Sequence, residues 1–390
     1  RRPHEQANVN SYVHVVERNA LFNGKRGIVI SGTKAIVTGA PYMHELLVMP
    51  CRNMGKEDAD FAVCCAVPID APGLTIVARP AGRPGEKLEH GDALFSRKYG
   101  QSTGVCMFDR VFVPWDRVFY DGSNGTWEHS AHLTYSYATH HRHTCIGARA
   151  GFGDLLIGAG ALMCEANGFD PAKESHLRDQ MVELITITES FYACGVAASV
   201  YGNADPHSRT FMPDPVFSNI GKLLLATKIY DMHRIAHYVS GGLIVTLPGP
   251  DEDHNPETAA KLSEVLRANP DVPYEQRIET ARFIEDLTAG YQGGWYSVIS
   301  LHGGGSPAAM KQEIYRNYPI GSKVELVERL LERGVAADGT AAAAPHDPQR
   351  AITKNRQPGK CCDTGCTTPG APFMVDLPEV TATLPSQRLN

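Results

Sequence analysis

Val105-Cys-Met-Phe-Asp-Arg-Val-Phe-Val113, stopped by Pro114, gives way after a short polar stretch to Ser130-Ala-His-Leu-Thr-Tyr-Ser-Tyr-Ala-Thr-His-His-Arg-His-Thr-Cys-Ile-Gly-Ala-Arg-Ala150. The first run is β-branched and apolar, as a strand is. The second carries apolar residues at helical spacing and continues to Ala166, where Asn167-Gly168 supplies a C-cap signal. This change of period divides the chain. Upstream, Val13–Glu17, Ile28–Ser31, Lys34–Thr38, Glu45–Met49, Phe61–Val67 and Leu74–Ala78 are short runs separated by Gly, Pro and Asp clusters. That spacing predicts an antiparallel β-barrel or sandwich over residues 1–122. Gly32-Thr33 reads as a tight hairpin between two of the runs. Downstream, Asp170-Pro171 and Asp214-Pro215 each place Pro just inside a helix start. Further helices are predicted over Tyr274–Ala289, after Ser306-Pro307 and at Gly321. Residues 123–335 therefore read as an antiparallel helical bundle, giving an α+β chain. Residues 336–390, rich in Ala, Pro and polar residues, read as a largely unstructured tail.

The 390 residues predict two to three domains at about 100–200 residues each. Hydrophobic residues make up 43% of the chain and charged residues 21%, enough apolar surface for a core without staples. A net charge of -6, with no basic block, argues against a nucleic-acid partner. No uninterrupted run of 18 apolar residues occurs, which argues against a membrane span. The start, Arg1-Arg2-Pro3-His4, has no apolar h-region and no initiator Met, so a processed end or a fragment is expected rather than a signal peptide. Ten cysteines are too sparse for a disulfide scaffold, and most sit in apolar settings. These features predict a cytoplasmic protein.

His140-His141-Arg142-His143 is the most conspicuous cluster. His141 and Cys145 are i,i+4, share a helix face and can ligate one metal; the competing reading has Cys145 in the core and a histidine facing solvent. A histidine on a cleft also suits acid–base work or hydrogen bonding near neutral pH. Gly151 and Gly153 inside a helix point to close packing, since each costs roughly 1 kcal/mol relative to Ala. Gly241-Gly242 and Gly303-Gly-Gly305 end helices, where backbone N–H groups can meet a phosphate or flavin edge. None of these is a Rossmann fingerprint. Cys361-Cys362-Asp-Thr-Gly-Cys366 clusters only three thiols, a weak metal or redox signal.

Several stretches together resemble a known flavin-dependent superfamily. They are Gly27-Ile-Val-Ile-Ser-Gly-Thr-Lys-Ala-Ile-Val-Thr-Gly-Ala40, His44–Met49, Phe108–Phe119, His141-Arg142, Gly151–Ile157, Gly241–Pro248 and His302–Pro307. The chain resembles the 4-hydroxyphenylacetate 3-monooxygenase and 4-hydroxybutyryl-CoA dehydratase superfamily, built on the acyl-CoA dehydrogenase fold. The likeness covers roughly residues 8–335, and the resemblance implies that the family's N-terminal helical domain lies outside the sequence given, as expected of a fragment. The resemblance implies FAD between the β-domain and the bundle, completed by a neighbouring subunit of a homotetramer. Thr38 matches the family threonine near flavin and substrate, and Gly241-Gly242 the glycine turn at the cofactor. Gly39, Arg142 and Thr246, within the matched stretches, join the cofactor-binding set.

The wording is nearer the dehydratase branch, whose [4Fe–4S] cluster is held by cysteines and a histidine. His141 matches that histidine. Ala148 stands where a ligand cysteine is expected, Cys145 replaces a tyrosine, Arg149 a lysine and Ile299 a glutamate. These four departures argue against a cluster, leaving His141 and Cys145 as residual metal candidates. The expected function is a two-component flavin monooxygenase hydroxylating a phenolic or related small substrate. His141, Thr38 and Arg149 are its catalytic candidates, and a flavin reductase is its partner. The alternatives are an acyl-CoA dehydratase/isomerase-like lyase and an inactive or truncated paralogue acting as a subunit.

Overall fold

The computed structural model describes residues 2–80, 94–205 and 208–331. The tail expected over residues 336–390, with Cys361, Cys362 and Cys366, lies outside the described residues. The N-terminal part contributes β1 (His14–Phe22), β2 (Lys25–Thr38), β3 (Glu45–Val48), β4 (Cys64–Pro68), β5 (Leu74–Ala78), β6 (Thr103–Pro114) and β7 (Val118–Tyr120). A single helical turn, α1 (Ser96–Tyr99), precedes β6.

These strands form two antiparallel sheets, ordered β1-β2-β6-β5 and β3-β4-β7. Of the barrel-or-sandwich expectation the barrel is corrected: among the described residues the sheets do not close. Ile28, Ile30, Val111 and Val113 from one sheet pack with Val48, Cys65 and Val67 from the other. Period-2 alternation puts these side chains on the facing surfaces.

The expected hairpin at Gly32-Thr33 is also corrected, because β2 runs unbroken through it. Gly32 is a register irregularity with φ +125°, and a Cβ there would sit 2.1 Å from the Tyr12 carbonyl oxygen. The turn lies instead at Asn23-Gly24, both at positive φ between Phe22 and Lys25, the two-residue hairpin that Asn-Gly favours.

The bundle comprises α2 (His129–Ala166), α3 (Ser175–Val200), α4 (Pro215–Val239), α5 (Ala259–Val265), α6 (Tyr274–Thr288), α7 (Tyr291–His302), α8 (Pro307–Asn317) and α9 (Ile320–Leu330), with a small ribbon of β8 (Asn203–Ala204) and β9 (Phe211–Met212) before α4. Asp214 caps α4 by accepting from Phe217 N, and Ser306 caps α8 by accepting from Ala309 N. Asp170-Pro171 does not start a helix. Asp170 Oδ1 accepts from Ala172 N in a turn, and α3 begins at Ser175. The helices α5 and α7 are additional to those read from the sequence.

Ile146, Leu156, Met163, Leu184, Phe191, Leu225 and Ile229 form the centre of the bundle core. By length and composition, Ser123–Ala166 and Ser175–Val200 are long and apolar enough to cross a membrane, which the uninterrupted-run criterion did not detect. In the fold both supply that core.

Candidate functional site

Residues 141, 145 and 149 recur every four positions on α2, so His141, Cys145 and Arg149 rise along one face of the helix. Cys145 Sγ lies 3.6 Å from His141 Nδ1. Gly304, at φ +75°, closes over the imidazole, and a Cβ there would sit 2.8 Å from Nδ1. Of the other histidines, His140 is exposed, and His143 reaches Gly195 O at 3.2 Å and Ser199 Oγ at 3.0 Å. Of the three histidines in the cluster, His141 alone is therefore delivered to the site. His141 and Cys145 are two donors, and among the described residues no group of three His, Cys, Asp or Glu could hold a metal.

Around His141 the site is cationic. Arg142, buried, donates from Nε to Gly304 O and from Nη1 to Asn219 Oδ1, both at 2.8 Å. Arg149 Nε donates to Ser300 Oγ at 2.9 Å, and its guanidinium lies 4.9 Å from the Tyr296 ring centroid. Lys222 on α4 is fully buried and donates to Ser300 O at 2.5 Å. All these acceptors are neutral. Burial pushes the Lys222 ammonium down to about 8, with Arg149 and Arg142 lowering it further and Cys145 opposing them. Burial, then Lys222, then Arg142 hold His141 below its ordinary value, so its ring is neutral at pH 7. Burial raises the Cys145 thiol, against Lys222 and Arg149.

Thr38 stands elsewhere. It is exposed at the end of β2, paired with Thr103, and Gly39 N–H is already bonded to Ser102 O. Beside this strand end Arg79 N donates to Thr103 O. Its guanidinium lies 3.8 Å from the Tyr291 ring centroid and donates from Nη2 to Tyr291 O, while Nη1 is buried without a partner among the described residues. Tyr291 and Ser300 are on the same helix, so α7 links the Thr38 region to the cationic site across roughly 14 Å at 1.5 Å per residue.

Gly241 and Gly242, at φ +71° and +75°, follow the far end of α4, with Thr246 exposed just beyond. From Lys222 to the end of α4 at Val239 is roughly 25 Å by the same rise. The structure thus brings together His141, Arg142, Cys145 and Arg149. It does not bring Thr38 with Gly39, or Gly241, Gly242 and Thr246, to them.

The chain matches 4-hydroxyphenylacetate 3-hydroxylase N terminal over residues 1–120 and 4-hydroxyphenylacetate 3-hydroxylase C terminal over residues 130–332. It belongs to the 4-hydroxyphenylacetate 3-hydroxylase family. One similar member is the 4-hydroxybutyryl-CoA dehydratase/vinylacetyl-CoA-Delta-isomerase of Clostridium aminobutyricum, 30% identical over 84% of this chain and 67% of the relative. Another is the 4-hydroxyphenylacetate 3-monooxygenase oxygenase component of Thermus thermophilus, 24% identical over 75% of this chain and 59% of the relative.

Among solved structures, an oxygen-tolerant archaeal 4-hydroxybutyryl-CoA dehydratase from N. maritimus superposes with a TM-score of 0.76 at 30% identity, over 85% of this chain and 64% of that one. An oxygenase component of 4-hydroxyphenylacetate 3-monooxygenase complexed with FAD and 4-hydroxyphenylacetate shares the fold at a TM-score of 0.73 and 23% identity, over 85% and 67%. The chain therefore spans between about a third and two thirds of the length of the curated hydroxylase-family relatives it matches. Both branches named by the resemblance are present in these matches.

Within this hydroxylase-family fold, sequence reading missed Lys222, Asn219 and Ser300. Lys222 sits inside the apolar run Ile220–Leu225, where a cation breaks the buried face of α4. That interruption was the available signal. Asn219 and Ser300 carried none, because hydroxyl and amide side chains are common in helices of any role.

Proposed function

We propose that the chain is the oxygenase part of a flavin-dependent monooxygenase that hydroxylates a phenolic or related small substrate, with a separate reductase supplying reduced FAD. The observation that carries this reading is the charge of the site. His141, Arg142, Arg149 and Lys222 gather there, and among the described residues no carboxylate is hydrogen-bonded to or ion-paired with any of them. Preorganised cations and donors stabilise an oxyanion in a water-poor site, and a phenolate ring is the form that oxygen transfer needs. Neutral His141 is suited to a hydrogen bond with the substrate oxygen, and Arg149 supplies fixed positive charge along the same helix face.

The residues fit a flavin. Thr38 offers an exposed strand-end hydroxyl, Arg79 is bonded through its backbone to the Thr103 opposite and has an Nη1 without a partner among the described residues, and a Cβ on Gly242 would meet open space. Thr38, Gly39 and Arg79 would hold the flavin, with Gly241, Gly242 and Thr246 supplied by a second copy of the chain. Reduced FAD, when bound, supplies the electrons that activate oxygen. The chain's own contribution is orientation of the ring, exclusion of water and stabilisation of its oxyanion.

Oxygen uptake with supplied reduced FAD and a panel of phenols tests the reading. Substrate-dependent uptake with hydroxylated product is expected, and His141→Ala should lower product formation by about 100-fold. Release of all consumed oxygen as peroxide with every phenol would overturn it.

A second reading, an acyl-CoA dehydratase or isomerase, is favoured by the 30% identity to that branch. The donors among the described residues do not fit its cluster, which takes four ligands where His141 and Cys145 supply two. Iron and acid-labile sulfide in anaerobically purified protein would move the assignment to that branch.

A further inference from the structure

Two cations from different helices, Lys222 fully buried and Arg149 half-buried, meet on one residue. Lys222 Nζ donates to the carbonyl of Ser300 and Arg149 Nε to its hydroxyl, while Arg142 holds the following turn through Gly304 O. Capping the end of α7 explains the direction of Lys222, because Ser300 O is one of the last carbonyls of that helix. It does not explain three like charges placed together. Burying a charge costs several kcal/mol when no opposite charge accompanies it, and an apolar residue of similar volume is commonly better tolerated.

Among the described residues, the titratable groups facing this cluster are few. They are His141 and Cys145 on α2, His233 on α4, Tyr296 on α7 and Glu313 on α8. Glu313 is engaged by Arg316 at 2.9 Å. The charge, with no carboxylate hydrogen-bonded to it among the described residues, backs onto His141, Cys145 and Arg149, which remain partly open.

We infer that Lys222 is a positioning residue that, with Arg149 and Arg142 behind the His141 face, makes this site a receptor for one anionic oxygen of a small aromatic ligand. It holds Ser300 and the end of α7, and its charge selects the ionised form of the ligand. Lys222 does not touch the ligand; His141 and Arg149 do. The inference deepens the proposed phenol chemistry, which supplies the choice of probe. Its test uses neither flavin nor oxygen, so the two can fail separately.

The probe is 4-nitrophenol, whose ionisation is read from its own absorbance, compared with the neutral isostere 4-nitroaniline on the full chain. The ionised nitrophenol is expected to bind at least tenfold more tightly than nitroaniline. The bound ligand should also ionise at least one pH unit below the free one. Lys222→Met, nearly isosteric, should lose most of both effects, and Lys222→Arg should restore part of them. A purely structural Lys222 would change melting without changing the preference. Equal binding of the two probes by the unmodified chain, or an unshifted ionisation of bound nitrophenol, overturns the inference without recourse to any variant.

Discussion

His233 lies on α4 with 6% of its surface exposed, its Nδ1 3.2 Å from Ser297 Oγ and its Nε2 without a partner among the described residues. Burial, then His237 and Arg149, push its pKa down to about 4. In an unfolded chain the same imidazole titrates near 6.5. Between those values the unfolded chain binds a proton that the folded chain excludes. Stability therefore rises with pH across the window and is lost as pH falls from about 6.5 towards 4. Urea unfolding at pH 6.5 and pH 5 should show the wild type losing about 1.5 kcal/mol more than His233→Gln. Equal losses would remove His233 as the source. Residue chemistry was only partly legible beforehand. The pairing of His141 with Cys145 followed from i,i+4 spacing, whereas the burial of Lys222 and His233 depends on neighbours contributed by other helices.

At the scale of elements, α2 and α3 show how packing divides residues that look alike. Gly151 and Gly153 are both helical, and both read as sites of close approach. In the fold, a Cβ on Gly153 would lie 2.2 Å from Thr188 Oγ1, while one on Gly151 would meet nothing within 4 Å. Gly153→Ala should destabilise the chain by about 1–3 kcal/mol through overpacking. Gly151→Ala should stabilise it by roughly 1 kcal/mol through helix propensity. Chemical denaturation of the two variants checks both signs. The ends of α4 and α8 were legible because their caps are local, Asp214-Pro215 and Ser306-Pro307. The course of β2 was not, because Gly32 serves a close approach to the Tyr12 backbone rather than a turn.

Across the whole molecule, two features point to self-association. Val182, Ile185, Tyr192, Val196 and Val200 lie exposed along one side of α3, an apolar stripe of the kind that marks an interface. The glycine turn after α4 and the cationic site are also held apart by the length of that helix, so a site using both takes them from two copies. Light scattering should give a mass of at least two chains. Val196→Glu should shift it towards one chain while leaving the circular dichroism spectrum unchanged; a single-chain mass for the unmodified protein would remove the second copy from the proposed flavin site.

By itself the sequence determined the strand-to-helix switch, the capped starts of α4 and α8, the apolar faces that build two cores, and membership of a flavin-linked family. Each of these depends on periodicity or on contiguous motifs, and so on interactions between residues close in the chain. Only the tertiary structure decided that Lys222 and Arg149 meet on Ser300, that Arg142 is held by Asn219 and Gly304, and that Thr38 and Gly241 stand away from His141. Those facts depend on how α2, α4 and α7 pack, and a buried charge acquires its meaning from the groups that other elements place around it.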